Sequence, residues 1–256
     1  MKAHSLITEA YNDTITIVFA GVGGTGSLLL HMLARMAVAL KDIRNITLKV
    51  LVMDADTVTG SNIGRQCFAP YDIGRNKAVV VTERINRFYG LEWDSSAFNY
   101  PIGIKEKYVR NIIISCVDSV ASRMKIEKHL VNSYKHLAAD HGYRFAYWLD
   151  CGNNFDNGNV VLTNMANMPA ISSYLSDTKV KKPRASCSLA TALGNQHIMV
   201  NSWCANIAGT ILWDMLYDHR VDVYAAFFNL KTLQVRTLKS NKHEHRSVQT
   251  STVDAV

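Results

Sequence analysis

The residues best suited to chemistry form a glycine-rich run near the start of the chain, Gly21-Val22-Gly23-Gly24-Thr25-Gly26. Glycines at this spacing permit a tight turn and let backbone N–H groups approach a phosphate closely. The turn has this function when it joins a buried strand to a helix, whose N-terminus carries partial positive charge. A turn that only connects strand to helix is the alternative. The run predicts nucleotide binding at Gly21, Gly23, Gly24 and Gly26.

Carboxylates follow two other apolar runs that are typical of buried strands. Asp54 and Asp56 come after the run 48–53, and Asp118 comes after the run 112–117. In open α/β sheets, ligands bind outside the carboxyl ends of the strands, and an acidic residue after the second strand binds the ribose. The alternative is that these carboxylates only cap the turn or helix that follows.

Lys77 lies in the first turn of a helix predicted over residues 76–88. A cation is unfavourable there, because the N-terminal end of the helix dipole is positive. The position predicts that Lys77 faces a phosphate. A lysine side chain in solvent is the alternative.

The elements that position these residues alternate between strand and helix. Apolar runs predict strands at 15–19, 48–53, 93–100, 112–117, 145–149 and 160–163, and helical patterns follow Gly24, cover 76–88 and run from 119 to about 141. This order predicts an α/β fold, with a Rossmann-like, mostly parallel sheet flanked by helices. Residues 150–158 have the composition of a turn, and 164–186 that of a long loop. A broken helix over 190–217 and a hairpin over 224–238 predict a C-terminal antiparallel extension.

Composition limits the remaining possibilities. The 256 residues are 48% hydrophobic with a formal charge of +7, which is enough for one large α/β domain or two small ones. Residues 240–256 have little to bury, so we predict a disordered tail there, after a domain over 1–239. The basic residues are spread along the chain, so the charge favours anionic partners without singling out nucleic acid. Five cysteines without a C-x-x-C pair predict neither a disulfide framework nor a four-thiolate zinc site. No apolar run has membrane-spanning length, so we predict a cytoplasmic protein without a membrane partner.

Taken in order, these blocks resemble the ThiF/MoeB/E1-like adenylyltransferase superfamily, whose members activate ubiquitin and ubiquitin-like proteins. The resemblance covers residues 15–238, and its most specific block is Ser61-Asn62-Ile63-Gly64-Arg65-Gln66. The other matching blocks are the glycine run, Asp54-Ala55-Asp56-Thr57-Val58, Gly74 with Lys77-Ala78, and Cys116-Val117-Asp118-Ser119 with Arg123. The run 186–193, with Gln196 and Asn201 beyond it, resembles the ThiF-related protein of the PRTRC cassettes, which are bacterial gene sets often carried on plasmids or other mobile elements.

The resemblance implies adenylation of a carboxylate by ATP with Mg²⁺, commonly at the C-terminal glycine of a small β-grasp protein, with release of pyrophosphate. It implies catalytic roles for Arg65, Lys77 and Asp118, with Asp118 binding Mg²⁺. The nucleotide-binding residues that it implies are Gly21, Gly23, Gly24, Gly26, Asp54, Asp56, Asn62, Arg65, Gln66, Lys77 and Asp118.

Three features differ from well-known members or stay open. Cys187 follows the long loop, where family members often place a thiol that accepts the acyl group as a thioester; a packing role is the alternative. MoeB-type members carry an N-terminal arginine that reaches the partner subunit's ATP site, whereas no arginine precedes Arg35 here. Family members usually form homodimers, and the apolar stretch 198–213 is either part of such an interface or core.

Other functions remain as alternatives. One is activation of a small carboxylate, including one on modified tRNA. Another is a non-catalytic, E1-like nucleotide-binding partner or scaffold in a plasmid or mobile-element cassette, against which Arg65, Lys77 and Asp118 argue. A Rossmann dehydrogenase is supported by the glycine run alone.

Overall fold

The computed structural model describes residues 4–5, 14–102, 112–137, 147–164, 170–174 and 196–239. Cys187, the predicted tail 240–256 and most of the predicted loop 164–186 lie outside these ranges. None of the described helices is long and apolar enough to cross a bilayer.

The chain alternates strands and helices through its first two thirds. The strands are β1 (His4–Ser5), β2 (Thr14–Ala20), β3 (Thr47–Met53), β4 (Asp94–Ser96), β5 (Ile112–Ser115), β6 (Tyr147–Asn153), β7 (Asn157–Asn164), β8 (Arg220–Val221), β9 (Val223–Asn229) and β10 (Gln234–Lys239). The helices are α1 (Gly24–Arg44), α2 (Lys77–Tyr89), α3 (Val120–Leu137) and α4 (Val200–Tyr217).

Eight strands form the main sheet, in the order β10-β9-β7-β6-β5-β2-β3-β4. The pairs β3/β4, β2/β3, β2/β5 and β5/β6 are parallel, and β6/β7, β7/β9 and β9/β10 are antiparallel. The predicted fold class is therefore confirmed. The chain leaves β2 for β3 on one side, while β5 pairs with β2 on the other. Ligands of open α/β sheets bind at such a switch point, outside the carboxyl ends of the strands.

Two apolar clusters cover the two faces of the sheet, as the near-continuous apolar strands require. On one face, Leu29 and Leu33 of α1 pack in a cluster with Leu212 of α4 and Phe19 of β2. On the other face, Ile126 of α3 belongs to a cluster with side chains of β2, β5 and β6. The glycine turn therefore follows a strand, β2, whose side chains are packed on both faces of the sheet.

The prediction of a turn over residues 150–158 is wrong for its first half, residues 150–153. β6 continues to Asn153, and the ladder with β7 pairs Cys151 with Val160 and Asn153 with Gly158. Asp150 is thus inside a central strand, where its carboxylate bonds the Arg123 guanidinium at 2.9 Å. The turn itself is confined to residues 154–156.

Other element bounds differ by smaller amounts. Ser119 precedes α3 as predicted, and its Oγ accepts the N–H of Ser122 at 3.1 Å. Of the broken helix predicted over 190–217, the part that the structure describes begins at Val200, and residues 196–199 before it are not helical. Residues 190–195 lie outside the described ranges.

Candidate active site

The glycine turn lies between the ends of two neighbouring strands. The N–H of Gly21 donates to the Met53 carbonyl at 2.8 Å, and Gly21 has a φ of +90°. A Cβ on Gly21 would lie 2.8 Å from the Cys116 carbonyl oxygen. A Cβ on Gly23 would meet no atom of the described residues within 4 Å, its two chain neighbours aside. The turn is therefore close-packed on the side of β5 and open at Gly23.

Helix α1 begins within the same glycine turn. Its N-cap, Gly23, provides no side-chain hydrogen bond, and its first turn contains no acidic residue. The first N–H groups of a helix have no partner within the helix. Here they remain available to an anion, as phosphate binding requires.

Substituting Gly26 by Ala should destabilise this turn. A Cβ there would collide with the Gly21 carbonyl oxygen and lie 3.2 Å from Cβ of Cys116. We expect the free energy of unfolding to fall by about 1–3 kcal/mol, as overpacking does elsewhere, in urea titrations. Gly60→Ala is the control, because a Cβ on Gly60 meets nothing within 4 Å. Equal stability of the two variants would contradict the packing described for the turn.

Asp54 joins the glycine turn to the end of β3. Its Oδ2 accepts the N–H of Val22 at 2.6 Å, and its Oδ1 accepts the N–H of Asp56 at 2.9 Å. Burial raises the pKa of Asp54, against the lowering effect of these two hydrogen bonds. Each carboxylate oxygen retains a further lone pair. Asp54 thus fixes the turn and lies where a ribose is expected in this fold.

Lys77 is held at the start of α2. Its Nζ lies 2.9 Å from Oδ2 of Asp56, and its side chain is 9% exposed whereas that of Asp56 is 71% exposed. Asn76 caps the helix by accepting the N–H of Val79 and donates to the Asp54 carbonyl at 2.8 Å. The ammonium group thus lies at the carboxyl end of β3, neutralised by an exposed carboxylate.

The segment that carries Asn62, Arg65 and Gln66 is held by both flanking helices. The N–H of Cys67 donates to Oγ of Ser27 in α1 at 3.2 Å, and Arg84 of α2 donates to the Cys67 carbonyl at 2.7 Å. The Asn62 side chain is buried, and its Oδ1 accepts the N–H of Thr59 at 2.9 Å. In the described ranges the Nδ2 donor of Asn62 has no hydrogen-bond partner, so it could serve a ligand.

Among the described residues, the Arg65 guanidinium has a neutral side chain as its hydrogen-bond partner. Its Nη1 donates to Oε1 of Gln196 at 3.1 Å, and among the described residues no carboxylate pairs with it. Its Nε and the neighbouring Oε1 of Gln66 are buried without a hydrogen-bond partner in the part of the chain described. Burial lowers the pKa of Arg65. A partly desolvated, unneutralised guanidinium is suited to binding an anion.

Asp118 is exposed after β5, three residues past Ser115. Its backbone is positioned by Arg123, whose Nη2 donates to the Val117 carbonyl at 2.7 Å and to the Cys151 carbonyl at 3.1 Å. The parallel register of β5 with β2 places Asp118 at the same edge of the sheet as the glycine turn. One exposed carboxylate beside the candidate phosphate site would suit Mg²⁺, which takes one or two carboxylates plus phosphate oxygens.

Sequence reasoning missed Asn153 and the role of Thr25. Asn153 Nδ2 donates to Oγ1 of Thr25 at 2.7 Å, at the end of β6 beside the glycine turn. The signal existed, since Asn153 also ends a strand, but the strand was predicted to stop at residue 149. No cluster of three or more His, Cys, Asp and Glu side chains able to hold a metal occurs in the described ranges; the expected absence of zinc stays a prediction.

Comparisons with known proteins find relatives over part of the chain. The chain is 30% identical over 138 residues to ubiquitin-like modifier-activating enzyme 5 of Xenopus laevis, covering 47% of this chain and 32% of the relative. It is 29% identical over 129 residues to the Rattus norvegicus enzyme of the same name, covering 44% and 30%. The matched stretch thus spans about a third of the length of these relatives.

Solved structures share the fold. E. coli MccB with ATP has a TM-score of 0.60 at 15% identity, covering 94% of this chain and 67% of that chain. MccB with AMPCPP and MccA has a TM-score of 0.61 at 14% identity, covering 90% and 65%. PaaA has a TM-score of 0.57 at 14% identity, covering 87% and 63%. The ThiF family model matches residues 10–250, nearly the whole sequence. The chain therefore belongs to the ThiF family.

Proposed function

We propose that the chain adenylates a carboxylate with ATP, releasing pyrophosphate, at the edge where β2, β3 and β5 end. The observation that carries the proposal is Arg65. This guanidinium has a neutral amide as its described partner and is linked through Gln196 and Asn201 to the first turn of α1. Membership of the ThiF family and the fold shared with MccB crystallised with ATP support the same function.

The reaction needs positioning and neutralisation of negative charge. The glycine turn and the N-terminus of α1 would bind phosphate oxygens, and Asp54 would bind the ribose. A carboxylate oxygen attacks the α-phosphorus, the bond from that phosphorus to the bridging oxygen breaks, and pyrophosphate leaves with the electron pair. Arg65 and Lys77 would stabilise the charge that accumulates, with Asn62 and Gln66 beside them.

The ion pair of Lys77 would affect how the site binds the phosphates of ATP. Its ammonium group already contacts the exposed Asp56 carboxylate. A phosphate would therefore compete with Asp56 for Lys77, whereas Arg65 has no anionic competitor in the described residues. Asp118 would hold Mg²⁺, which supplies further positive charge to the phosphates when bound.

The acceptor we propose is the C-terminal glycine of a small ubiquitin-like protein. The curated relatives are named as activators of ubiquitin-like modifiers, and MccB was crystallised with MccA.

As further parts of the proposal, Cys187 accepts the acyl group, two chains form a homodimer, and residues 1–239 act as one adenylation domain. The free thiols of Cys67, Cys116, Cys151 and Cys204 support a reducing, cytoplasmic setting. We also propose that the gene lies in a PRTRC-type cassette.

ATP–pyrophosphate exchange tests the function. Small proteins encoded beside this gene are the acceptors, and each is compared with the same protein carrying a C-terminal amide in place of the carboxylate. We expect exchange with at least one free carboxylate and none with its amide. Arg65→Gln should reduce exchange, whereas Lys49→Ala, an exposed change within β3, should not.

Two other results would point elsewhere. ATP binding without exchange with any acceptor would support a nucleotide-binding partner or scaffold. Exchange that requires added tRNA would support activation of a small carboxylate.

A further inference from the structure

The side chains around Arg65 form a closed network of amides. Oε1 of Gln196 accepts from Nη1 of Arg65 at 3.1 Å and from Nδ2 of Asn201 at 3.3 Å. Nε2 of Gln196 donates to Oδ1 of Asn153 at 2.8 Å and reaches Oδ1 of Asn201 at 3.4 Å. Both polar ends of the Gln196 side chain are therefore occupied, so its carbonyl can face Arg65 in one orientation only.

The network is anchored at the glycine turn. Oγ1 of Thr25 donates to Oδ1 of Asn201 at 3.1 Å and accepts from Nδ2 of Asn153 at 2.7 Å. Thr25 and Asn201 are both buried, and a Cβ on Gly24 would overlap the Asn201 amide. The Gln196 carbonyl, and with it the Arg65 guanidinium, is thereby fixed relative to α1, β6 and α4.

Every member of this network except Arg65 is uncharged. A carboxylate at position 196 would also bond the guanidinium, but it would cancel the charge that an incoming phosphate must meet. The amide carbonyl orients the guanidinium and leaves its charge in place. Within a partly desolvated site such a charge acts more strongly than in water.

We propose that Gln196 is a positioning residue for Arg65, holding the guanidinium toward the polyphosphate of a nucleotide without neutralising it. Asn153 and Asn201 fix the orientation of the Gln196 amide. The inference rests on the proposed nucleotide site, but it concerns binding of phosphate groups and not the adenylation step.

The test measures binding of ATP, ADP and adenosine by calorimetry to the full chain and its variants. Gln196→Ala should weaken ATP binding about ten-fold, as loss of an oriented charged hydrogen bond does. The loss should be smaller for ADP and absent for adenosine. Gln196→Glu, which keeps the shape of the side chain, should weaken ATP binding further, because it neutralises Arg65 and repels phosphate.

Two comparisons separate positioning from a merely structural role. In an Arg65→Gln background, Gln196→Ala should have no further effect on ATP binding, because there is no guanidinium left to orient. Asn206→Ala removes an exposed amide from α4 that bonds only within its own helix, and should leave all three affinities unchanged.

The inference is overturned by any of three results. Gln196→Ala could weaken the binding of adenosine as much as that of ATP. Its effect on ATP binding could persist in the Arg65→Gln background. Gln196→Glu could bind ATP as tightly as the parent chain does. This binding test and the exchange assay can fail independently. If Gln196→Ala weakens binding most for ATP, less for ADP and not for adenosine, but no exchange occurs, the positioning role of Gln196 is supported and adenylation is opposed. If exchange occurs but the loss of affinity does not depend on the number of phosphates, adenylation is supported and the positioning role is opposed.

Discussion

Asp118→Ala and Asp118→Asn are expected to lower the maximal rate of ATP–pyrophosphate exchange by about 10²–10³-fold, the effect of removing one preorganised electrostatic group from an active site. The carboxylate is exposed at the end of β5 and has no hydrogen-bond partner among the described residues. It is therefore available to a metal that carries the triphosphate. Its loss should also raise the Mg²⁺ concentration needed for half-maximal exchange, measured by titration at saturating ATP.

The matched control is Asp42→Asn, which removes an exposed carboxylate at the C-terminal end of α1, far along the helix from the glycine turn. It should leave rate and Mg²⁺ dependence unchanged. Urea unfolding should show all three variants within about 0.5 kcal/mol of the parent, as for ordinary surface substitutions. Undiminished exchange at low Mg²⁺ in Asp118→Asn would remove Asp118 from the site.

The parts of the fold that sequence predicted correctly are those with a local signal. β2, β3 and β5 are short, mostly buried runs rich in apolar and β-branched residues, so composition alone identifies them. Ser119 caps the helix that follows it, as predicted from its side-chain chemistry, and Asn76 caps α2 in the same way. The placement of Asp54 and Asp118 at one sheet edge then follows from parallel strand direction.

The parts that sequence missed depend on partners distant in the chain. Asp150 has turn-forming character, and inside β6 its carboxylate depends on the counter-charge of Arg123, 27 residues earlier. The bond from Arg65 to Gln196 spans 131 residues. No periodicity or spacing rule connects such pairs, so the amide network could not be foreseen as a structure, although Gln196 and Asn201 carried part of the family resemblance.

Lys77 shows how a local argument can locate a group without settling its partner. The unfavourable position at the start of α2 predicted that Lys77 faces a phosphate, and the anion that it contacts among the described residues is the Asp56 carboxylate. The ion pair explains how the lysine is tolerated there. Whether phosphate displaces Asp56 stays a prediction of the proposed mechanism.

The ion pair between Arg123 and Asp150 is expected to have the largest effect on stability. Asp150 is 2% exposed and Arg123 8% exposed, and Oγ of Ser115 also bonds the carboxylate. Asp150→Ala leaves a buried guanidinium without its counter-charge, so the free energy of unfolding in urea should fall by about 3–5 kcal/mol. Asp222→Ala breaks the exposed Arg220–Asp222 pair and should cost under about 1 kcal/mol.

Arg123→Met, the reciprocal variant, should show a stability deficit that depends on pH. Burial already raises the pKa of Asp150, with Arg123 opposing the rise, so removing Arg123 should raise that pKa further. A carboxyl group whose pKa is higher in the folded state stabilises the fold below its unfolded pKa, and that contribution is lost as pH rises through the folded pKa. The deficit should therefore be larger at pH 7 than at pH 4. A deficit independent of pH would mean that Asp150 stays ionised without Arg123, held by Ser115 alone.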